Sequence, residues 1–166
     1  MRRTSWWWTK ARQTLAHVRA CVAPAERADL TGWLGPAELA LFDSMHVADR
    51  RHGLDVVATL RREGVDDREV LVAGLLHDAG KGPDVGLAPR VVWSLGEAFG
   101  PAVVSTARRI RPLRSSLDCL ADHAERSARL AEAAGCSERT VRLIRERPTP
   151  ADRRYGELLR LADEAN

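Results

Sequence analysis

In the run Leu75-Leu76-His77-Asp78-Ala79-Gly80-Lys81, an imidazole and a carboxylate stand side by side at the end of an apolar stretch, and a glycine and a lysine follow. A helix carrying Leu71, Val72, Leu75 and Leu76 belongs in a core, where a charged group is costly unless it is paired or given to a metal ion. At average residue frequencies, His-Asp-x-Gly-Lys arises by chance in on the order of one chain per thousand of this length. Lys81 sharpens the pattern, because lysine occurs at only two positions, Lys10 and Lys81, against 24 arginines. Two more polar residues join the pair. His52 precedes Val56 and Leu60 at four-residue steps, at one end of an apolar stripe. Its competitor His46 lies six residues earlier, a turn of about 600° on a helix, and is expected to be exposed. Asp163 lies four residues after Leu159 and eight after Tyr155, so it shares a face with core-type residues. Two imidazoles and two carboxylates form a mixed nitrogen and oxygen donor set that suits Mn, Fe, Co, Ni or Zn better than Ca. The plainer alternative has His77 and Asp78 capping backbone groups and His52 as a core histidine. Neighbours on a helix point about 100° apart, so His77 and Asp78 can reach one ion only at a widened helix end.

Helices must position these groups, since no sustained period-2 alternation indicates strands. Pro24-Ala25-Glu26 and Pro36-Ala37-Glu38 each read as a helix start, with proline in the first turn and an early carboxylate. Asp66-Asp67-Arg68-Glu69 caps the helix that ends at His77-Asp78. Gly64 closes the preceding helix and Gly80 this one. Gly100-Pro101 separates two helices, Ser137 caps a late one, and Thr149-Pro150 starts the last, which runs to about Asp163. The expected fold is all-α, a compact single-domain bundle of roughly eight to ten short helices, with an N-terminal helical extension over residues 1–40 and a metal-binding helical domain over 41–166.

With 166 residues, 45% hydrophobic and 30% charged, the chain can bury a real core and reads as soluble. The net charge of +3 is compatible with phosphate-bearing ligands. It does not by itself argue for nucleic acid, because no recognised motif accompanies it and one-sided clustering of the arginines is not evident. Cys21, Cys119 and Cys136 are odd in number and lack metal-type spacing, which implies free thiols and a cytoplasmic setting. No apolar run is long enough to span a membrane. Trp6-Trp7-Trp8 is expected to pack on the domain or on a second copy of the chain, which would make a homo-oligomer.

Over roughly Leu41 to Asn166 the chain resembles the HD-domain superfamily of metal-dependent phosphohydrolases. That family shows a histidine, a His-Asp pair and a distant aspartate on a helical bundle. These map to His52 in Arg51-His52-Gly53-Leu54-Asp55-Val56, to His77-Asp78, and to Asp163 in Leu161-Ala162-Asp163-Glu164. The His-Asp element is the most specific part and the terminal aspartate the least. The resemblance implies a divalent transition metal held by His52, His77, Asp78 and Asp163. Some members bind further metals through additional histidines. His123, in Asp122-His123-Ala124-Glu125, resembles one of these and is open between a second-metal ligand and a polar residue behind the first. Leu143-Ile144-Arg145-Glu146-Arg147-Pro148 resembles a stretch that often carries histidine and here carries none, which puts a second metal in doubt.

The implied reaction is hydrolysis of a phosphomonoester or nucleotide by a metal-activated water. Asp78 would hold the metal and orient the water, and Lys81 would neutralise a phosphate oxygen. Arg50, Arg51 and the run Arg108, Arg109, Arg111 and Arg114 are further phosphate candidates, all of which read first as a solvated basic surface. The alternative is a catalytically degenerate domain of the same fold that serves in signalling or interaction. The expected partner is a small, nucleotide-like phosphorylated substrate, with no specific nucleic acid.

Overall fold

The computed structural model describes residues 19–166. Trp6, Trp7 and Trp8 lie outside the described residues, as does the first part of the expected N-terminal extension, residues 1–18. Ten α-helices and one 3₁₀ turn follow one another, with no strand among the described residues: α1 (Pro24–Leu30), α2 (Pro36–Ser44), α3 (Val47–Arg62), α4 (Arg68–Leu76), the 3₁₀ turn (Ala79–Lys81), α5 (Leu87–Phe99), α6 (Ala102–Ala107), α7 (Arg111–Ala121), α8 (His123–Ala133), α9 (Glu138–Glu146) and α10 (Tyr155–Ala165). The described residues are all-helical, and their ten helices lie within the range of eight to ten set by the punctuation of the sequence. The expected boundary near residue 40 falls inside α2. Leu30 and Leu34, before it, share one buried cluster with Phe42, Leu75 and Leu159.

Local chemistry sets most helix ends. The Pro-Ala-Glu segments begin α1 and α2, and Glu26 and Glu38 accept from the backbone N–H of Ala23 (2.9 Å) and Gly35 (2.7 Å). The Asp67 carboxylate accepts from the Glu69 N–H at 3.0 Å to open α4, and the Ser137 hydroxyl from the Thr140 N–H at 3.2 Å to open α9. Gly64, just beyond α3, has φ +79°, a conformation that favours glycine.

Three local expectations are corrected. Gly80 does not close α4 in a left-handed conformation; Gly82 has the positive φ (+85°). Gly80 instead lies inside the 3₁₀ turn, where a Cβ would come within 2.4 Å of the His123 carbonyl oxygen and 2.5 Å of the Ser127 nitrogen. Its glycine serves close approach to α8. The last helix begins at Tyr155 rather than at Thr149, because the Asp152 carboxylate accepts from the N–H groups of Arg154 and Tyr155 (both 2.8 Å) and sets a later start. His46 is half-buried rather than exposed: it is the N-cap of α3, with its Nδ1 accepting from the Ala48 N–H at 3.1 Å.

The main core lies where α3, α4, α9 and α10 meet. All nine residues from Val70 to Asp78 are buried. Helix α4 is therefore enclosed on every side rather than amphipathic, as expected of a central helix. A Cβ at Gly53 would lie 2.4 Å from the Leu75 carbonyl oxygen, so glycine is what lets α3 seat against α4. A separate small core joins α5 to α7 through buried Val85, Leu117 and Leu120. No described helix is long and apolar enough to cross a membrane, and Cys21, Cys119 and Cys136 are all free thiols.

Candidate metal centre

Helix α4 ends at Leu76, and His77 and Asp78 occupy the two residues between it and the 3₁₀ turn. At Asp78 the backbone has left helical geometry (φ −102°, ψ 3°) before entering the 3₁₀ turn, so the pair stands past the helix end rather than within it. Both side chains are almost wholly buried, at 1% and 2% exposure. His77 Nδ1 lies 2.9 Å from the Gly74 carbonyl oxygen and donates to it, so Nε2 faces the other way, into the cluster.

Three elements distant in sequence converge there. His52 on α3 places Nε2 2.8 Å from Asp163 Oδ1, and His77 Nε2 lies 3.2 Å from the same oxygen. The His52 and His77 rings meet edge to face with centroids 5.3 Å apart. One donor atom from each of His52, His77 and Asp163 lies within 4.8 Å of the others, a spacing that fits a shared metal ion. Asp78 Oδ1 lies 3.5 Å from His77 Nε2 and 3.8 Å from His123 Nε2, and it is buried with no hydrogen-bond partner. An orphaned buried carboxylate oxygen carries a desolvation cost that a cation beside it removes. His52, His77 and Asp163 are the groups that could hold a metal ion together, and the unpartnered Asp78 oxygen stands beside His77 as a further candidate.

Opposed charges shape the site. Burial, the largest influence on His77, pushes its imidazolium down, but the Asp78 charge and the Asp163 hydrogen bond outweigh it, and the group ends above its ordinary value. Burial likewise pushes Asp78 and Asp163 up and is overcome: His77 and Lys81 hold Asp78 far below the usual carboxylate range, and His52 and His77 do the same for Asp163. His123 moves the other way. Burial lowers it, Asp78 opposes, and Lys81 and Arg147 add to the lowering, which favours the neutral ring. The cluster thus favours positive charge at His77 and disfavours it at His123.

Lys81 Nζ is 2.5 Å from Asp78 Oδ2 and 3.9 Å from Asp49 Oδ1. Arg51 is elsewhere: its guanidinium is held by Glu26 at 2.6 Å and Asp55 at 2.8 Å, and it does not join the cluster. His123, at the start of α8, donates from Nδ1 to the Leu120 carbonyl oxygen at 2.7 Å and turns Nε2 toward Asp78.

Two participants escaped the sequence reading. Arg147 hydrogen-bonds Asp163 Oδ2 through Nη1 and His123 Nε2 through Nη2, the latter at 3.0 Å. Its spacing four residues after buried Leu143 placed it on an inward face, a signal that was available. Asp49, 3% exposed, takes a bidentate clamp from Arg90 of α5 at 2.7 and 2.6 Å. It lies seven residues before Val56 on the same helical stripe. Comparison of the chain with protein-family models, with curated proteins and with solved structures finds no match.

Proposed function

We propose that the protein is a metal-dependent phosphohydrolase of HD type, acting on a phosphomonoester or nucleotide. The observation that carries this reading is the Asp78 carboxylate, buried with one oxygen unpartnered beside the Nε2 atoms of His77 and His123. A divalent ion held by His52, His77, Asp78 and Asp163 would supply Lewis acidity and lower the pKa of a coordinated water toward neutrality. The chain's own groups prepare that chemistry. The Gly74 carbonyl fixes the His77 ring and directs Nε2 inward. Lys81 anchors Asp78 through Oδ2, which leaves Oδ1 to face the cluster. Lys81 and Arg147 set two fixed positive charges beside Asp78 and Asp163, the charge a phosphate ester would be drawn to.

A second reading is a catalytically silent domain of the same fold, favoured by the fact that Lys81 and Arg147 already pair with Asp78 and Asp163. Elemental analysis of the purified protein after incubation with Mn, Fe, Co, Ni or Zn, beside Asp78→Ala, separates the two. About one equivalent of metal that is lost in the variant supports the hydrolase and calls for a screen of phosphate esters. No metal in either protein overturns it in favour of the silent domain.

A further inference from the structure

We infer that Arg147 supplies from the chain itself the second positive charge of this site, so that the site takes a single divalent ion and His123 is not one of its ligands. The inference rests on the metal-binding reading above and specifies its stoichiometry. His123 has one ring nitrogen committed to the Leu120 carbonyl, so Nε2 carries its only lone pair for a metal. That lone pair already accepts from Arg147 Nη2 at 3.0 Å. The other arm of the same guanidinium holds Asp163 Oδ2, while Asp163 Oδ1 faces His52 and His77. One carboxylate is thereby divided. Its inner oxygen belongs to the imidazole pair and its outer oxygen to the arginine.

A second ion bridging His123 and Asp163 would have to displace a charged group held by two hydrogen bonds, one of them charge-assisted on both sides. It would also place a divalent charge beside the displaced guanidinium and Lys81. Arginine does not lose its proton in proteins, so this cation is permanent. It is also well placed: Arg147 sits at the C-terminal end of α9, its N–H bonded to the Ile144 carbonyl at 3.4 Å, and Pro148 follows immediately. The side chain is 17% exposed.

The test is metal stoichiometry of the full chain, by equilibrium dialysis against Mn²⁺ followed by elemental analysis. The expected values are about one equivalent for the wild type, about one for Arg147→Lys and about two for Arg147→His, where a neutral ligand replaces the fixed charge. His123→Ala checks the other half independently of how well the arginine variants fold, and is expected to keep about one equivalent at wild-type affinity. Two equivalents in the wild type overturn the inference. So does one equivalent in a folded Arg147→His, or a loss of metal in His123→Ala. No metal in the wild type or in any variant is a different outcome, which removes the metal-binding reading itself.

Discussion

Gly53 in α3 and Gly96 in α5 each allow two helices to approach more closely than a methyl group permits, and their surroundings differ. A Cβ on Gly53 would lie 2.4 Å from a backbone oxygen, that of Leu75, at the centre of the main core. A Cβ on Gly96 would lie 2.4 Å from Cγ2 of Val104, the tip of a half-buried side chain. The first contact cannot yield without moving a helix; the second can yield by a rotamer change. The same contrast runs through the two regions. Around α3, α4, α9 and α10, large side chains such as Val56, Leu60, Leu75, Ile144 and Leu159 are fully buried. Around α5 to α7, three buried apolar residues hold the packing, while Phe99 and Ile110 remain more than half exposed. His52, His77 and Asp163 all come from the rigid region. Ligand atoms must be held to within about half an ångström to act together, so a site of this kind belongs on elements that cannot shift. The looser region reaches it through the Arg90 clamp on Asp49 and through the Leu120 carbonyl, which holds the His123 ring.

The largest expected effect tests the two glycines directly. Gly53→Ala should destabilise the protein by about 3 kcal/mol or more, the upper range for overpacking against an unyielding neighbour, whereas Gly96→Ala should cost about 1 kcal/mol or less. Urea unfolding followed by circular dichroism measures both, and equal losses would break the distinction between the regions.

Leu117→Ala probes the small core. Truncating a fully buried leucine there should cost about 2 kcal/mol, the low end for such changes, because most of the residues packed in that small core are only half-buried and can relax into the gap. Hydrogen exchange should show the loss in α5 to α7 and leave the amides of α4 at their original protection. Lost protection throughout would mean that the two regions unfold as one.

The smallest effect concerns ion pairs. Arg139 of α9 bonds both Asp67, the cap of α4, and Glu69 in its first turn at 2.7 Å, whereas Arg108 and Asp118 form a pair exposed to 40% and 51%. Burial raises Asp67, but the Arg139 and backbone hydrogen bonds more than offset it; Ser137 and Arg139 lower Glu69. Both carboxylates titrate below their unfolded values, so their contribution is complete above the unfolded pKa and disappears as pH falls through the folded one. Arg139→Ala should therefore cost about 0.5–1 kcal/mol near pH 7, discounted for partial exposure, and progressively less below about pH 4. Arg108→Ala should be neutral at both pH values. A constant penalty for Arg139→Ala across that range would remove the electrostatic account.

Helix ends were legible in the sequence because their causes are local. Pro24, Pro36, Asp67 and Ser137 act within three residues of where they stand, so the beginnings of α1, α2, α4 and α9 could be read directly. The buried run leading to His77-Asp78 was legible for the same reason, and so were the inward faces of His52 and Asp163, each set by its spacing from core residues on its own helix. The role of Gly80 was not, because the need for glycine there comes from His123 and Ser127, more than forty residues away. Nor was the start of α10, where Asp152 competes with Thr149 for the capping position.

The sequence by itself determined a helical fold with a His-Asp pair at the end of an apolar helix, since periodicity and capping are properties of neighbouring residues. Only the tertiary structure decided which charges meet. Asp163 reaches His52 across 111 positions and His77 across 86, Arg147 turns toward His123, and Arg51 turns away to Glu26 and Asp55. Contacts between helices depend on how whole faces pack, and no spacing within one helix encodes the partner on another.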